Sequence, residues 1–263
     1  MSLPELYEKR EIVTYNQGKR QSDYALIVNE MPLTVFLNET ELATLICSPG
    51  AYEELAVGFL LSEGLVRTLS DIKEITFNEQ DGLLWVETPC EVPEAENFLR
   101  RQITSCCGKG RVAPYFINDA RQLQPVQSTS KFAAAHLLDL IGLLEEGSSS
   151  FRLTGGVHSA ALADDKGLLA MYEDIGRHNA VDKALGYAFM SRTATEDKCL
   201  LLSGRVSSEI LIKAARQGLP LVVSRSAPTI LAVELAEKYG VGLVGFARGE
   251  RLSVYSHAEK IIM

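Results

Sequence analysis

Two adjacent thiols, Cys106 and Cys107, lie in the segment Ser105-Cys106-Cys107-Gly108-Lys109-Gly110-Arg111, with Arg100 and Arg101 a few residues upstream. Cationic neighbours and exposure lower a thiol pKa and raise the thiolate fraction, and the thiolate is the species that attacks sulfur. Residues 100 to 128 show no period of 2 or 3.6, so a mobile surface loop presenting a reactive dithiol is expected. A dithiol also suits metal binding, a strained disulfide or no chemistry, so the pair does not define the reaction alone. Cys47 and Cys199 fall within or at the ends of apolar strand patterns and read as small core residues, while Cys90 fits either class. Five cysteines, an odd number scattered through 263 residues, make a poor disulfide framework and suit a reducing compartment.

A second chemistry is offered where apolar strand patterns run into small residues and arginine. The three places are Ser203-Gly204-Arg205, Ser224-Arg225-Ser226-Ala227-Pro228 and Phe246-Ala247-Arg248-Gly249-Glu250-Arg251. Carboxyl ends of strands in an open α/β sheet line the crevice where ligands bind, and the helices that follow offer free N–H groups. Small residues let an anion approach the backbone, and arginine supplies a planar donor fork for phosphate or a guanine edge. Any one such turn is more simply a turn with a solvated arginine. Three at the same end of one sheet imply a large, phosphate-bearing ligand. A third polar group comprises Thr154-Gly155-Gly156-Val157-His158-Ser159 and the run from Glu173 to Lys183, in which Arg177, His178, Asp182 and Lys183 cluster within about two helical turns. Such density at a strand end suggests a site, although a histidine is often structural and Asp182 or Lys183 could be a solvated helix face. Neither a P-loop nor a Gly-x-Gly-x-x-Gly fingerprint is present, and the His-x-Glu with Pro-Cys-x-x-Cys of a zinc deaminase is missing.

These residues need a scaffold, and 46% apolar with 23% charged residues is enough for a sizeable core. Up to about residue 90 the pattern predicts short strands, at Tyr24 to Val28, Leu33 to Leu37, Leu42 to Cys47, Ile72 to Phe77 and Leu83 to Glu87, around one helix from Tyr52 to Ser62 that stops at Gly64. A further helix is expected from about Ser130 to Glu145, ended by Gly147. From Phe151, strands near 159–163, 168–172, 199–203, 220–224, 242–247 and 251–255 alternate with helices near 178–190, 207–217 and 228–239. That rhythm predicts an α/β domain with a mainly parallel or mixed sheet, helices on both faces and antiparallel hairpins at its two ends. The expected division is 1–127, a smaller mainly-β α+β subdomain ending in the thiol loop, and 128–263, the α/β domain. No stretch reaches the roughly 20 apolar residues of a membrane span, no signal peptide opens the chain, and a net charge of −8 disfavours nucleic acid and anionic membrane as partners.

Taken in order, Thr154-Gly155-Gly156-Val157-His158, the run from Glu173 to Lys183, Ser203-Gly204-Arg205-Val206-Ser207, Ser224 to Thr229 and Gly245-Phe246-Ala247-Arg248-Gly249 resemble the FdhD family of formate dehydrogenase accessory sulfurtransferases. The likeness spans essentially the whole chain and is strongest from 151 to 256. It implies a cytoplasmic homodimer that takes persulfide sulfur from a cysteine desulfurase and carries it on a loop cysteine. The sulfur is then delivered to Mo-bis(molybdopterin guanine dinucleotide), the molybdenum cofactor destined for formate dehydrogenase. That cofactor is a bound substrate, and no permanently held metal is implied. The C-terminal domain should resemble a cytidine deaminase fold without its zinc site, giving three layers. Phe246, Ala247, Arg248, Gly249, Glu250 and Arg251 take the place of the family's cofactor-binding stretch. With them as expected cofactor contacts stand Ser203, Gly204, Arg205, Ser224, Arg225, Ser226, His158, Arg177 and His178. The family loop commonly reads Cys-x-x-Cys-Gly-Lys, whereas here the thiols are adjacent. Cys107 matches the second cysteine through Gly108-Lys109, and Cys106 matches the first only if two intervening residues are deleted. Both are candidate persulfide carriers. The competing reading is a non-catalytic chaperone for the cofactor, in which the arginines matter and the thiols do not. A plain dithiol oxidoreductase would leave the strand-end arginines unexplained.

Overall fold

A computed structural model describes residues 6–89, the backbone of 102–103, and 123–263. The first element is an antiparallel ribbon of β1 (Tyr7–Asn16) and β2 (Lys19–Val28), turned at Gln17 and Gly18, whose φ angles of 51° and 78° suit a tight hairpin. Only the second half of β2 is legible as a strand, because charged residues at 8–11 and 19–20 break any alternation on a ribbon that is mostly exposed.

β3 (Met31–Leu37), β4 (Thr40–Cys47), β5 (Glu74–Asn78), β6 (Leu83–Glu87) and β7 (Gln102–Ile103) form a sheet in the order β5-β6-β3-β4-β7. Leu33, Val35 and Leu37 alternate inward on β3 and meet Leu84 and Val86 of β6. The helix α1 (Tyr52–Glu63) closes this core, capped at Gly64 in the left-handed conformation as its sequence position suggests. Residues 55–62 of α1 are all buried, so the helix has a second neighbour besides the sheet.

That neighbour belongs to the second half. β8 (Phe132–Ala133) leads into α2 (Ala134–Gly147) and α3 (Ser149–Thr154). β9 (His158–Ala163), β10 (Leu168–Asp174), α4 (Arg177–Met190), β11 (Cys199–Leu202), α5 (Ser208–Arg216), β12 (Leu221–Ser224), α6 (Ile230–Tyr239), β13 (Gly242–Arg248) and β14 (Arg251–Ser256) follow, and β15 (Ile261–Ile262) pairs with β8. The helix predicted from Ser130 starts later because Phe132 and Ala133 are held in that pairing. The six-stranded sheet has the order β10-β9-β11-β12-β13-β14. Leu162, Leu200, Leu202, Val222 and Leu243 face a core shared with α4, α5 and α6. Ala161, Cys199, Leu201, Val223 and Val244 face the other core, with α2. Three layers result, with antiparallel hairpins β9–β10 and β13–β14 at the two ends, as expected.

The sheet is mixed and not mainly parallel. Parallel pairing is confined to β11 with β12 and β12 with β13. The reason is that β9 inserts antiparallel between β10 and β11, so the crossover through α4 does not join neighbouring strands.

α4 is the second neighbour of α1, and glycines set how closely they cross. A Cβ added at Gly58 would lie 1.8 Å from the carbonyl oxygen of Asp182, and one at Gly186 would lie 1.9 Å from that of Glu54. Among the described residues no helix is long and apolar enough to cross a membrane.

Candidate functional site

The carboxyl ends of β11 and β12 open onto a cavity of about 620 Å³. Ser203, Gly204 and Arg205 enter from the turn after β11, Arg225 and Ser226 from the turn after β12, His158 from the start of β9, and Arg177 from the first residue of α4. Small hydroxyls knit these turns together. Ser224 Oγ donates to Gly204 O at 2.7 Å and accepts from Ser226 N at 2.9 Å, and Arg225 N donates to Leu202 O at 3.0 Å. Ser159 N donates to Ser203 Oγ at 2.9 Å, and Ser203 N returns a bond to Ser159 O at 3.0 Å. Gly204 lets the histidine approach, since a Cβ there would lie 3.2 Å from His158 Nδ1. Ser207 and Thr229 cap the N-termini of α5 and α6, accepting from Ile210 N and Ala232 N, which satisfies one of the free N–H groups of each helix.

Four arginines line the space: Arg152, Arg177, Arg205 and Arg225. Arg152 donates to Glu145 O at 3.0 Å and also to Glu146 O. Arg225 is ion-paired with Glu145. Arg177 Nε is buried and has no hydrogen-bond partner among the described residues. A buried, unpaired donor on a cation costs stability unless a ligand completes it. His158 is held below the ordinary imidazole range by burial first, then by Arg177 and Arg205, with Asp174 opposing. His178, beside the wall, is pushed down to about 3 by burial, then Lys213, Arg177 and His158. Glu209 Oε2 stands 3.6 Å from His178 Nε2, beyond hydrogen-bond range, so burial prevails over that carboxylate and the ring is neutral. Cationic guanidinium groups with neutral imidazoles suit a polyanion that also offers hydrogen-bonding edges.

Of the residues singled out from sequence, His158, Arg177, Ser203, Gly204, Arg205, Arg225 and Ser226 meet at this cavity, and Ser224 is buried beneath it. His178 is not on its wall. Phe246 to Arg251 form the β13–β14 corner, which lines no part of the cavity but adjoins it, because Phe246 N donates to Ser226 O at 3.0 Å. Phe246 and Gly249 have φ of 50° and 56°, and Arg248 lies 5.8 Å from the Phe246 ring. Asp182 and Lys183 are neither cavity residues nor a solvated helix face. Lys183 is buried and pairs with Asp174 at 2.8 Å beside Ser48, and Asp182 is buried and accepts from Ser62 Oγ of α1 at 2.6 Å and from Lys213 Nζ of α5 at 2.5 Å. Cys106, Cys107 and Cys90 lie outside the described residues. Cys47 and Cys199 are fully buried, and burial pushes each thiol up to about 12.

The α2–α3 wall was not foreseen: Leu144, Glu145, Ser148, Phe151 and Arg152 complete the cavity. The available signal was Ser148-Ser149-Ser150 directly after the helix stop at Gly147, a new helix start that turns Phe151 and Arg152 back toward the strand ends.

A model of the FdhD/NarQ family matches residues 28–262. Over 257 residues the chain is 41% identical to a protein of Geobacillus kaustophilus named sulfur carrier protein FdhD, covering 97% of each chain. A Bacillus subtilis protein of the same name is 42% identical over 253 residues, with 96% of each covered. In three dimensions the chain resembles a crystal structure from Desulfotalea psychrophila, assigned as a formate dehydrogenase accessory protein. The TM-score is 0.82 at 26% identity, over 98% of this chain and 100% of that one.

Proposed function

The chain belongs to the FdhD/NarQ family, and on that premise we propose that it is a sulfur carrier in formate dehydrogenase maturation, a cytoplasmic sulfurtransferase. Its donor is a persulfide on a cysteine desulfurase. The thiolate of Cys106 or Cys107 attacks the outer sulfur of that persulfide. A new S–S bond forms to the loop cysteine as the donor's breaks, and the desulfurase cysteine leaves as its thiolate. The acceptor is Mo-bis(molybdopterin guanine dinucleotide), held as substrate and passed on to formate dehydrogenase, and the working unit is a homodimer. The three-layer arrangement around a mixed sheet is compatible with a cytidine deaminase-like domain turned to binding.

The observation that carries the ligand half of this reading is Arg177, whose buried Nε lacks a partner among the described residues and whose side chain lines a cavity with Arg205 and Arg225. Guanidinium groups from three separate elements converging on 620 Å³ are what a diphosphate needs. Neutral His158 offers a donor or acceptor to a base edge, and the Phe246–Arg251 corner extends the contact surface beside Ser226. The carrier half rests on the names of the curated relatives and on the cationic setting of Cys106-Cys107 in sequence.

Intact-protein and peptide mass spectrometry after incubation with a cysteine desulfurase and cysteine tests it, comparing the parent with Cys106→Ala and Cys107→Ala. A reducible gain of one sulfur atom within the 101–111 peptide, abolished in one variant, is expected and identifies the carrier. No gain, with guanosine diphosphate binding intact, would replace the carrier with a chaperone that shields the cofactor.

A further inference from the structure

We propose that Glu145 is a release residue of the cavity, competing with the ligand's phosphate for Arg225 so that a bound phosphate-bearing cargo can be let go. The inference rests on the reading of this cavity as the site of such a ligand. Among the described residues lining the cavity, Glu145 is the one carboxylate, set against four arginines. It comes from the end of α2, on the opposite face of the sheet from α6, and its pair with Arg225 joins α2 to the turn after β12. The two side chains are 43% and 46% exposed, so the pair is solvated and exchangeable, in contrast to the buried pair of Asp174 and Lys183.

The placement of Glu145 has no benefit to the helix that carries it. α2 has no basic residue in its last turn, and Glu145-Glu146 put two negative charges at the negative end of its dipole. Arg152 fixes the root of the side chain by donating to Glu145 O at 3.0 Å. Among the described residues, Arg225 is the one cavity guanidinium with a side-chain ion pair, and its partner is this carboxylate. Arg177 lines the cavity with no ion pair among the described residues, whereas Arg225 must first exchange one anion for another. On departure the exchange reverses, and Glu145 recaptures Arg225. A carrier gains from this arrangement because its ligand has to leave.

Binding of guanosine diphosphate is measured by calorimetry, and its dissociation by displacement of a fluorescent ribose-labelled guanosine diphosphate. Relative to the parent, Glu145→Gln should bind about fivefold more tightly, through a dissociation rate slower by a similar factor, the scale set by an exposed ion pair. Glu146→Gln, which removes the same charge one residue away and off the cavity wall, should stay within about twofold. In an Arg225→Ala background the gain from Glu145→Gln should disappear, which separates the specific exchange from general electrostatics. Unchanged or weaker binding by Glu145→Gln, an equal gain from Glu146→Gln, or a gain that persists without Arg225 would each overturn the release role. A parent protein that binds no guanosine diphosphate would overturn the reading of the cavity, and the release role with it.

Discussion

The buried ion pair between Asp174 and Lys183 makes a quantitative demand on stability. The two charges are 2.8 Å apart with side chains 0% and 2% exposed. Asp174 also accepts from Ser48 N at 3.1 Å, Gly176 N at 2.9 Å and Asn179 Nδ2 at 2.9 Å, whereas among the described residues Lys183 has in addition only Ser48 O at 3.2 Å. Removing one partner of a buried pair typically costs about 3–5 kcal/mol, because the other charge is left uncompensated. Lys183→Met leaves a carboxylate with three N–H donors and belongs at the lower end, about 3 kcal/mol. Asp174→Asn leaves an ammonium with one carbonyl and turns an amide toward N–H groups, so about 5 kcal/mol is expected. The double variant buries no lone charge and should lose less than the sum of the two by at least about 2 kcal/mol. Urea unfolding reads this out through the single tryptophan, Trp85, stacked on Phe36 at 5.2 Å in the N-terminal sheet, alongside far-ultraviolet circular dichroism for the whole chain. Single variants that each lose under about 1 kcal/mol, or a strictly additive double variant, would refute the claim that the two buried charges depend on each other.

Other consequences follow from packing and titration. Gly58→Ala and Gly186→Ala drive a Cβ into backbone oxygens at 1.8 and 1.9 Å and should each cost about 3 kcal/mol or more by thermal melting. Gly142→Ala, with nothing within 4 Å on α2, should instead stabilise by about 0.5–1 kcal/mol. His178 titrates near 3 folded and 6.5 otherwise, so between those values the unfolded chain holds the extra proton. Stability from this group is complete above pH 6.5 and is lost as pH falls, by about 1.4 kcal/mol per pH unit, and His178→Asn should flatten the measured slope by that amount. Iodoacetamide at pH 8 should leave Cys47 and Cys199 unmodified in the native protein, with any alkylated peptide containing Cys90, Cys106 or Cys107. Labelling of Cys199 at the native rate of the others would contradict its burial.

Much of the second half is legible from sequence because its strands are apolar on both faces and its helices carry clear starts and stops. Leu200-Leu201-Leu202 serves two cores at once, and Gly240 ends α6 where a stop belongs. What escapes a linear reading is pairing. Nothing in β9 announces that it slides between β10 and β11, and that insertion alone turns a mainly parallel sheet into a mixed one. The site shows the same division. Strand-end arginines point to a ligand because strand ends converge in any sheet of this kind. Glu145, from α2 on the other face of that sheet, and Phe151 of α3 reach the cavity from elements that no strand-end pattern indicates. The ribbon of β1 and β2 was half missed because exposure on both faces leaves no period to detect.

The densest polar motif of the chain, Glu173 to Lys183, proves to serve several neighbours at once. Arg177 faces the cavity. Asp174, Asn179 and Lys183 turn to Ser48 and to Ile46 O at the end of β4, and Asp182 turns to Ser62 of α1 and Lys213 of α5. Helical periodicity explains the split, since Asn179 and Lys183 are four residues apart on one face while Asp182 is rotated to the next. Most of that charge therefore does not meet ligand; it fixes where Arg177 stands relative to the N-terminal sheet.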